Sequence, residues 1–220
     1  MRKKLFLIML SVFLLVNYIC PVIAAESDLP GQETDEDVFG MFAGNYIFMS
    51  GAGGWMSQMD IDPDGTFSGE YHDTEMGLSG DGYDYTVYFA EFTGSFGNPR
   101  KVNDYTYSFE LEDIQYANAP DTEEIVSDEY GTRRTIYAEA YGLDEGTKTI
   151  YAYTASAPTD KLPDGLLSWV DMMRSDEDKI SGELSHKCLY VPGPEYGWFC
   201  TMEGDISEEE GGADTAEDAE

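Results

Sequence analysis

The sequence predicts an all-β domain, an antiparallel barrel or strongly curved sheet of about seven to nine strands with one short helix. Apolar residues alternate with polar ones through much of residues 38–202, and a Pro-Asp-Gly turn signal separates two such runs near the start. A period of two is typical of strands that bury one face and expose the other. A helical period occurs at Leu166, Trp169, Val170 and Met173, which predicts a helix packed on the sheet or plugging it.

The clearest hairpin signal lies in residues 51–73. Apolar positions alternate in 55–61 and again in 67–71, with Pro-Asp-Gly at 63–65 between them. The proline fixes φ at the first turn position, and the glycine supplies the positive φ of a three-residue loop. This loop places Ile61 opposite Phe67, so the two apolar faces coincide as they must when one side is buried.

Shorter alternating runs predict further strands. They are residues 46–50, 83–96, 105–112, 149–153 and 184–191. The alternation changes parity around Glu91, which predicts a bulge or bend there. Residues 117–134 contain Asn, Pro, Asp and Gly with little periodicity, and we expect a long loop.

The N-terminus resembles a secretory signal peptide. Three basic residues precede an apolar run, and small residues follow. The run of about 15 residues is shorter than a membrane-spanning helix. We expect residues 1–25 to be removed by cleavage after Ala24 or Ala25, which predicts a secreted protein without an integral membrane domain. An uncleaved N-terminal anchor is the alternative.

The charge balance excludes two classes of partner. The chain has 44 Asp and Glu against 12 Lys and Arg, a formal charge of −32. Nucleic acid and anionic lipid surfaces would be repelled. Residues 26–37 and 203–220 are acidic and lack aromatic residues, and we expect both to be disordered. The tail 203–220 is interpreted as a solvated spacer, with a partner-binding arm as the alternative.

The cysteines predict one disulfide. Cys20 lies in the signal segment, which leaves Cys188 and Cys200 in the mature chain. An even pair in an exported protein indicates a disulfide bond. A redox or metal-binding pair is disfavoured because the C-x-x-C spacing is missing.

Three aspartates form a weak calcium candidate. Asp60, Asp62 and Asp64 match the start of a calcium-binding loop, but position twelve is Tyr71 where such loops have glutamate. A plain hairpin turn is the favoured interpretation. No other metal and no cofactor are predicted.

Aromatic side chains are the candidate ligand-binding residues. Tyrosine combines an apolar ring with a polar tip, which suits sugars and amphiphiles. The candidates are Trp55, Tyr71, Tyr83, Tyr85 and Tyr88, with Tyr151 and Tyr153 as further members of a barrel mouth or exposed platform. Ordinary strand packing is the competing interpretation.

Several segments form a recurrent pattern, namely residues 48–55 (FMSGAGGW), 64–73 (DGTFSGEYHD), 76–77 (MG), 141–143 (YGL) and 157–170. This pattern resembles a family of exported or lipid-anchored proteins of Gram-positive anaerobic bacteria, which has no established function. More distantly, Gly53-Gly54-Trp55 is similar to the Gly-x-Trp of calycin barrels, the lipocalin-like and avidin-like folds. This resemblance implies a calycin-like β-barrel with the tryptophan closing its floor; it does not extend to biotin binding.

The sequence therefore favours an extracellular binding module for a small amphiphile or a carbohydrate. The alternative is a cell-envelope protein-interaction module that uses its acidic surface. A hydrolase ranks third, because no Gly-x-Ser-x-Gly motif accompanies His72 or His186 and no catalytic residue is predicted.

Overall fold

The structure is a computed structural model that describes residues 33–51, 54–129, 131–143, 146–173 and 181–201. Among them are two α-helices, α1 (Asp35–Phe42) and α2 (Asp164–Met173), and a 3₁₀ turn at Thr159–Lys161. The strands are β1 (Gly44–Met49), β2 (Trp55–Ile61), β3 (Thr66–Glu75), β4 (Tyr85–Asn103), β5 (Thr106–Tyr116), β6 (Glu123–Asp128), β7 (Gly131–Tyr137), β8 (Thr149–Tyr153), β9 (Cys188–Val191) and β10 (Tyr196–Cys200). The predicted signal peptide and acidic tail lie outside the described residues.

Eight of these strands form a closed antiparallel barrel. The order around the barrel is β1-β2-β3-β4-β5-β8-β9-β10, and β10 pairs back onto β1. Closure gives every barrel strand two neighbours and so leaves no open edge among these eight. The all-β prediction is confirmed, and the architecture is the one that the resemblance to calycins implies.

The β2–β3 hairpin has the predicted register. Ile61 lies opposite Phe67, and the Asp62 amide donates to the Thr66 carbonyl at 2.8 Å across a turn in which Gly65 has φ of 85°. Further along β3, a Cβ on Gly69 would lie 2.3 Å from the backbone oxygen of Gln58 in β2. Glycine therefore allows β2 and β3 to approach closely where the sheet curls.

Aromatic side chains fill the barrel interior. Buried residues from all eight barrel strands form one hydrophobic cluster. At one end α1 closes the barrel, with the Phe39 ring 5.1 Å and the Phe42 ring 5.5 Å from the ring of Phe109. A capping box starts α1, in which the Thr34 side chain accepts from the Asp37 amide and the Asp37 carboxylate accepts from the Thr34 amide.

The segment 138–143 closes the opposite end. The Tyr141 ring packs 4.8 Å from Trp55 and 5.1 Å from Tyr196. The Ser57 hydroxyl, which is fully buried, donates to the Tyr141 carbonyl at 2.6 Å. The barrel therefore ends in a packed aromatic cap on this side.

Helix α2 packs beside the barrel, where it contacts β10. Its buried residues Leu166 and Val170 belong to a second hydrophobic cluster, which also contains Tyr153, Cys188 and Tyr190 from the outer face of the sheet. Its Trp169 ring lies 5.0 Å from Phe48 and joins the packed end of the barrel. The predicted helix is confirmed: it packs on the sheet from outside and adds one side chain to the barrel end.

Two local predictions are wrong. Residues 117–134 are not one long loop, because β6 and most of β7 lie there and form a hairpin that pairs in parallel with the start of β4. No bulge occurs at Glu91, since the β3–β4 register runs unbroken from residue 86 to 95. The change of apolar parity around Glu91 instead coincides with the point where β4 changes its partner from β7 to β5.

The predicted disulfide is also wrong, because Cys188 and Cys200 are free thiols. Cys188 lies opposite Phe199, so Cys200 is one residue out of register with it. A one-residue offset turns neighbouring side chains to opposite faces. Cys188 accordingly packs beneath α2, whereas Cys200 lies opposite Tyr46, whose ring is inside the barrel.

The prediction of disorder for the whole acidic segment 26–37 is wrong at its C-terminal end. Helix α1 begins at Asp35, so the last three residues of that segment form the first turn of this helix. Acidic side chains at a helix N-terminus interact favourably with the helix dipole.

We expect Gly69→Ala to lower the free energy of unfolding by about 2 kcal/mol, because the added methyl group would meet the backbone oxygen of Gln58 and the ring of Phe92. Urea denaturation measures this loss. Gly77→Ala is the control, since a Cβ there meets no atom within 4 Å. Equal stability of the two variants would contradict the close approach of β2 and β3.

We expect iodoacetamide to modify Cys200 before Cys188 in the folded protein, and both after unfolding. Cys188 is 1% exposed, and burial raises the pKa of both thiols, which keeps them in the unreactive protonated form. Peptide mapping after timed alkylation measures the order. Recovery of a peptide in which the two cysteines are linked would contradict the free-thiol state.

Candidate functional site

The interior of the barrel is filled by its own side chains. Trp55 and Tyr71, two of the predicted site residues, belong to the packed end. The Trp55 ring lies 4.7 Å from Phe48, and the Tyr71 ring lies 5.8 Å from Tyr141. Burial, with a smaller effect of Asp73, raises the pKa of Tyr71 to about 12. Both aromatic residues therefore serve the core.

The other three predicted residues lie at or just before the start of β4 and are half-buried. The Arg134 guanidinium sits 5.7 Å from the ring centre of Tyr83, a cation–π contact. Tyr88 packs against the main core, and Tyr85 pairs with Arg133 of β7. None of the three lines the groove described below.

The three aspartates of the calcium candidate lie at the β2–β3 hairpin, Asp60 in β2 and Asp62 and Asp64 in the turn. The Asp64 carboxylate accepts from the amide and the hydroxyl of Thr66 at 3.0 and 2.6 Å, and these bonds lower its pKa. Asp60 accepts from the side-chain amide of Asn45 at 2.9 Å. Within the parts of the chain that are described, no group of three or more His, Cys, Asp or Glu is placed to hold a metal ion. The favoured interpretation, a hairpin turn, is what this segment forms, and the weak calcium candidate stays an untested hypothesis.

A groove lined by tyrosines runs along the outer face of β5, β8 and β9. Its volume is about 390 Å³. Four tyrosines line it, namely Tyr105, Tyr151, Tyr153 and Tyr190. Tyr151 and Tyr153 are two residues apart in β8 and so lie on the same face of the strand. Tyr151 lies directly opposite Tyr190 on β9. Strand register thus brings three of the four rings together.

The walls of the groove come from the turns beside the sheet. Pro163 and Lys161 contribute from the segment before α2, and Pro192 from the turn after β9. Lys161 forms an exposed ion pair with Asp160 at 3.2 Å. No Asp or Glu is among the residues that line the groove.

The tyrosine hydroxyls share a partly desolvated environment. Burial, reinforced by the neighbouring Tyr190, Tyr151 and Tyr105, raises the pKa of Tyr153 to about 12. Burial and then Glu195 raise the pKa of Tyr190. Both hydroxyls therefore remain protonated at neutral pH and can donate as well as accept hydrogen bonds.

The sequence contained part of this site. Tyr151 and Tyr153 have the spacing of one strand face, and they were predicted members of an aromatic platform. Tyr105 and Tyr190 come from other strands or turns and carried no such signal. They are recruited by the order of strands around the barrel.

We expect the protein to lose stability as the pH rises from about 10 to about 12. The folded pKa of Tyr153 lies above the ordinary value of about 10, so the folded state holds its proton more tightly than the unfolded state does. This contribution is complete below the unfolded pKa and is lost as pH rises through the folded pKa. Tyr153→Phe should flatten the decline, which urea midpoints across this range measure. An unchanged slope would contradict the shift.

No helix in the described parts of the chain has both the length and the apolarity needed to cross a membrane. Comparisons with protein-family models, with curated proteins and with solved structures found no match to this chain.

Proposed function

We propose that the protein is an extracellular binding module whose tyrosine-lined groove takes a carbohydrate or a small amphiphile. The observation that carries this proposal is the groove itself, where four tyrosines and two prolines line one concave surface. Tyr105 and Tyr151 are half-buried and offer ring surface to a ligand, whereas Tyr153 and Tyr190 are buried. Concave sites with apolar walls and a few polar groups are the usual form of small-ligand sites.

The chemistry of the groove matches ligands that have both apolar and polar surface. Tyrosine rings offer flat apolar faces on which the C–H face of a sugar ring or an alkyl chain can pack. The hydroxyl groups and the Lys161 ammonium supply hydrogen bonds around them. A nucleophile paired with a histidine does not occur in the lining, so the groove favours binding over hydrolysis.

Export and family membership are part of the same proposal. We infer that the chain is secreted after cleavage near Ala24 or Ala25, and that it belongs to the exported Gram-positive family whose hairpin motif it resembles. The support is the motif 64–73, which forms the turn and most of β3 in the barrel. N-terminal sequencing of the protein from culture medium tests the cleavage; a retained residue 1 would contradict it.

The binding test uses an immobilised glycan array together with dodecyl maltoside as the amphiphile probe. We expect Tyr151→Ala to weaken binding about tenfold through loss of ring packing. Tyr137→Ala is the matched control, because Tyr137 is a half-buried tyrosine of β7 outside the groove. Absence of binding across the array and the detergent would contradict the proposal, as would equal binding by the two variants.

The alternative function, a protein-interaction module with an acidic surface, has one observation in its favour. Glu70 on β3 and Glu91 on β4 lie directly opposite each other and, with Asp60, line an open outer groove of about 400 Å³. Like charges opposite one another cost stability, and a basic partner would relieve that cost. Capture of a lysine-rich peptide that is unaffected by salt or by Glu70→Gln would exclude this alternative.

A further inference from the structure

A second cavity lies beside the tyrosine-lined groove. It has a volume of about 500 Å³ and is lined by the end of the loop that precedes β8 and by the turn after β9. Pro192 lines both cavities, so the two adjoin at this residue. Together they are called the continuous groove.

Strand β8 gives the direction and the length of this continuous groove. Thr149, Tyr151 and Tyr153 are successive outward residues of β8, and the first lines the second cavity while the other two line the first. From Thr149 to Tyr153 the strand spans about 13 Å. A groove of that length along a strand suits a chain of linked units better than one compact molecule.

The charges along the groove restrict the ligand further. Lys161 lines the first part and Lys148 the second, and neither lining contains an Asp or Glu. On the neighbouring strand, Glu110 lies opposite Thr149 and accepts from the Asn98 side chain at 3.0 Å. Glu195 lies close enough to Tyr190 to raise its pKa, but it is not among the lining residues. The lining itself therefore offers a cationic ligand no carboxylate.

An anionic ligand is disfavoured for a different reason. The chain carries a formal charge of −32, and the resulting field repels anions over the whole surface. The Asp160 carboxylate also neutralises much of the positive charge of Lys161. The lysines are better suited to donate hydrogen bonds to uncharged hydroxyl and ring oxygens.

We propose that the continuous groove binds an extended, uncharged polysaccharide chain that lies along β8 across both cavities. The inference rests on the proposed binding function and specifies its ligand class. The tyrosines hold one part of the chain by ring packing, and the second cavity holds the units that follow.

A length series tests this inference. The probes are cello-oligosaccharides and chito-oligosaccharides from the disaccharide to the hexasaccharide, with oligogalacturonates as the anionic comparison, all measured by calorimetry on the full domain. We expect affinity for an uncharged series to rise about tenfold with length as the second cavity fills. Weaker binding of oligogalacturonates is expected at every length.

A blocking variant separates the two parts of the groove. Gly193 lines the second cavity, and a Cβ there would meet no atom within 4 Å, so the side chain of Gly193→Phe has room to enter the cavity. We expect this variant to remove the gain in affinity with length, so that the hexasaccharide binds no more tightly than the disaccharide. Gly77→Phe is the control, since Gly77 is equally open and lies in the loop after β3.

The outcomes distinguish the two proposals. A disaccharide that binds as tightly as a hexasaccharide, or tighter binding of the anionic series, would overturn the polysaccharide inference and leave the binding module intact. Loss of all binding in Gly193→Phe would also overturn the division into two parts. Absence of binding by every saccharide and by dodecyl maltoside would overturn both proposals.

Discussion

Aromatic packing inside a narrow barrel is the constraint on which the rest of the structure depends. An eight-stranded barrel has an interior that its own side chains can fill. Here rings from the strands, from both helices and from the segment 138–143 occupy it and its ends, with Phe48 in contact with five other aromatic rings. Aromatic side chains close both ends, and the tyrosine-lined groove lies on the outer face, with walls from the segment before α2 and the turn after β9.

The predictable parts of the fold are those with one buried and one exposed face. The β2–β3 hairpin and β8 alternate strongly, and α2 has a clear helical stripe, so the type of each element could be predicted, and for the hairpin the register as well. The β6–β7 hairpin lies outside the closed barrel and has no comparable buried face; Ile125 is 57% exposed there. Without such a face its sequence shows little periodicity, and it was misread as a loop.

The site was harder to predict than the fold because composition does not tell the inside of a barrel from its outside. Trp55 and Tyr71 have the chemistry of ligand-binding residues, yet they pack at the barrel end. The cysteines show the same difficulty at finer scale. Their spacing suits a short loop, but a single-residue offset in the β9–β10 register puts them on opposite faces, and only the paired structure reveals that offset.

The pairing of β1 with β10 has a consequence for how the chain acquires its shape. These strands are the first and the last of the barrel, so the closing contacts join residues about as far apart in sequence as the domain allows, Tyr46 with Cys200 for example. Such contacts form late and slow the search for the native state. During synthesis from the N-terminus, the barrel therefore stays open between β1 and β10 until β10 has been made. Pairing of these two strands then closes the barrel and completes the fold.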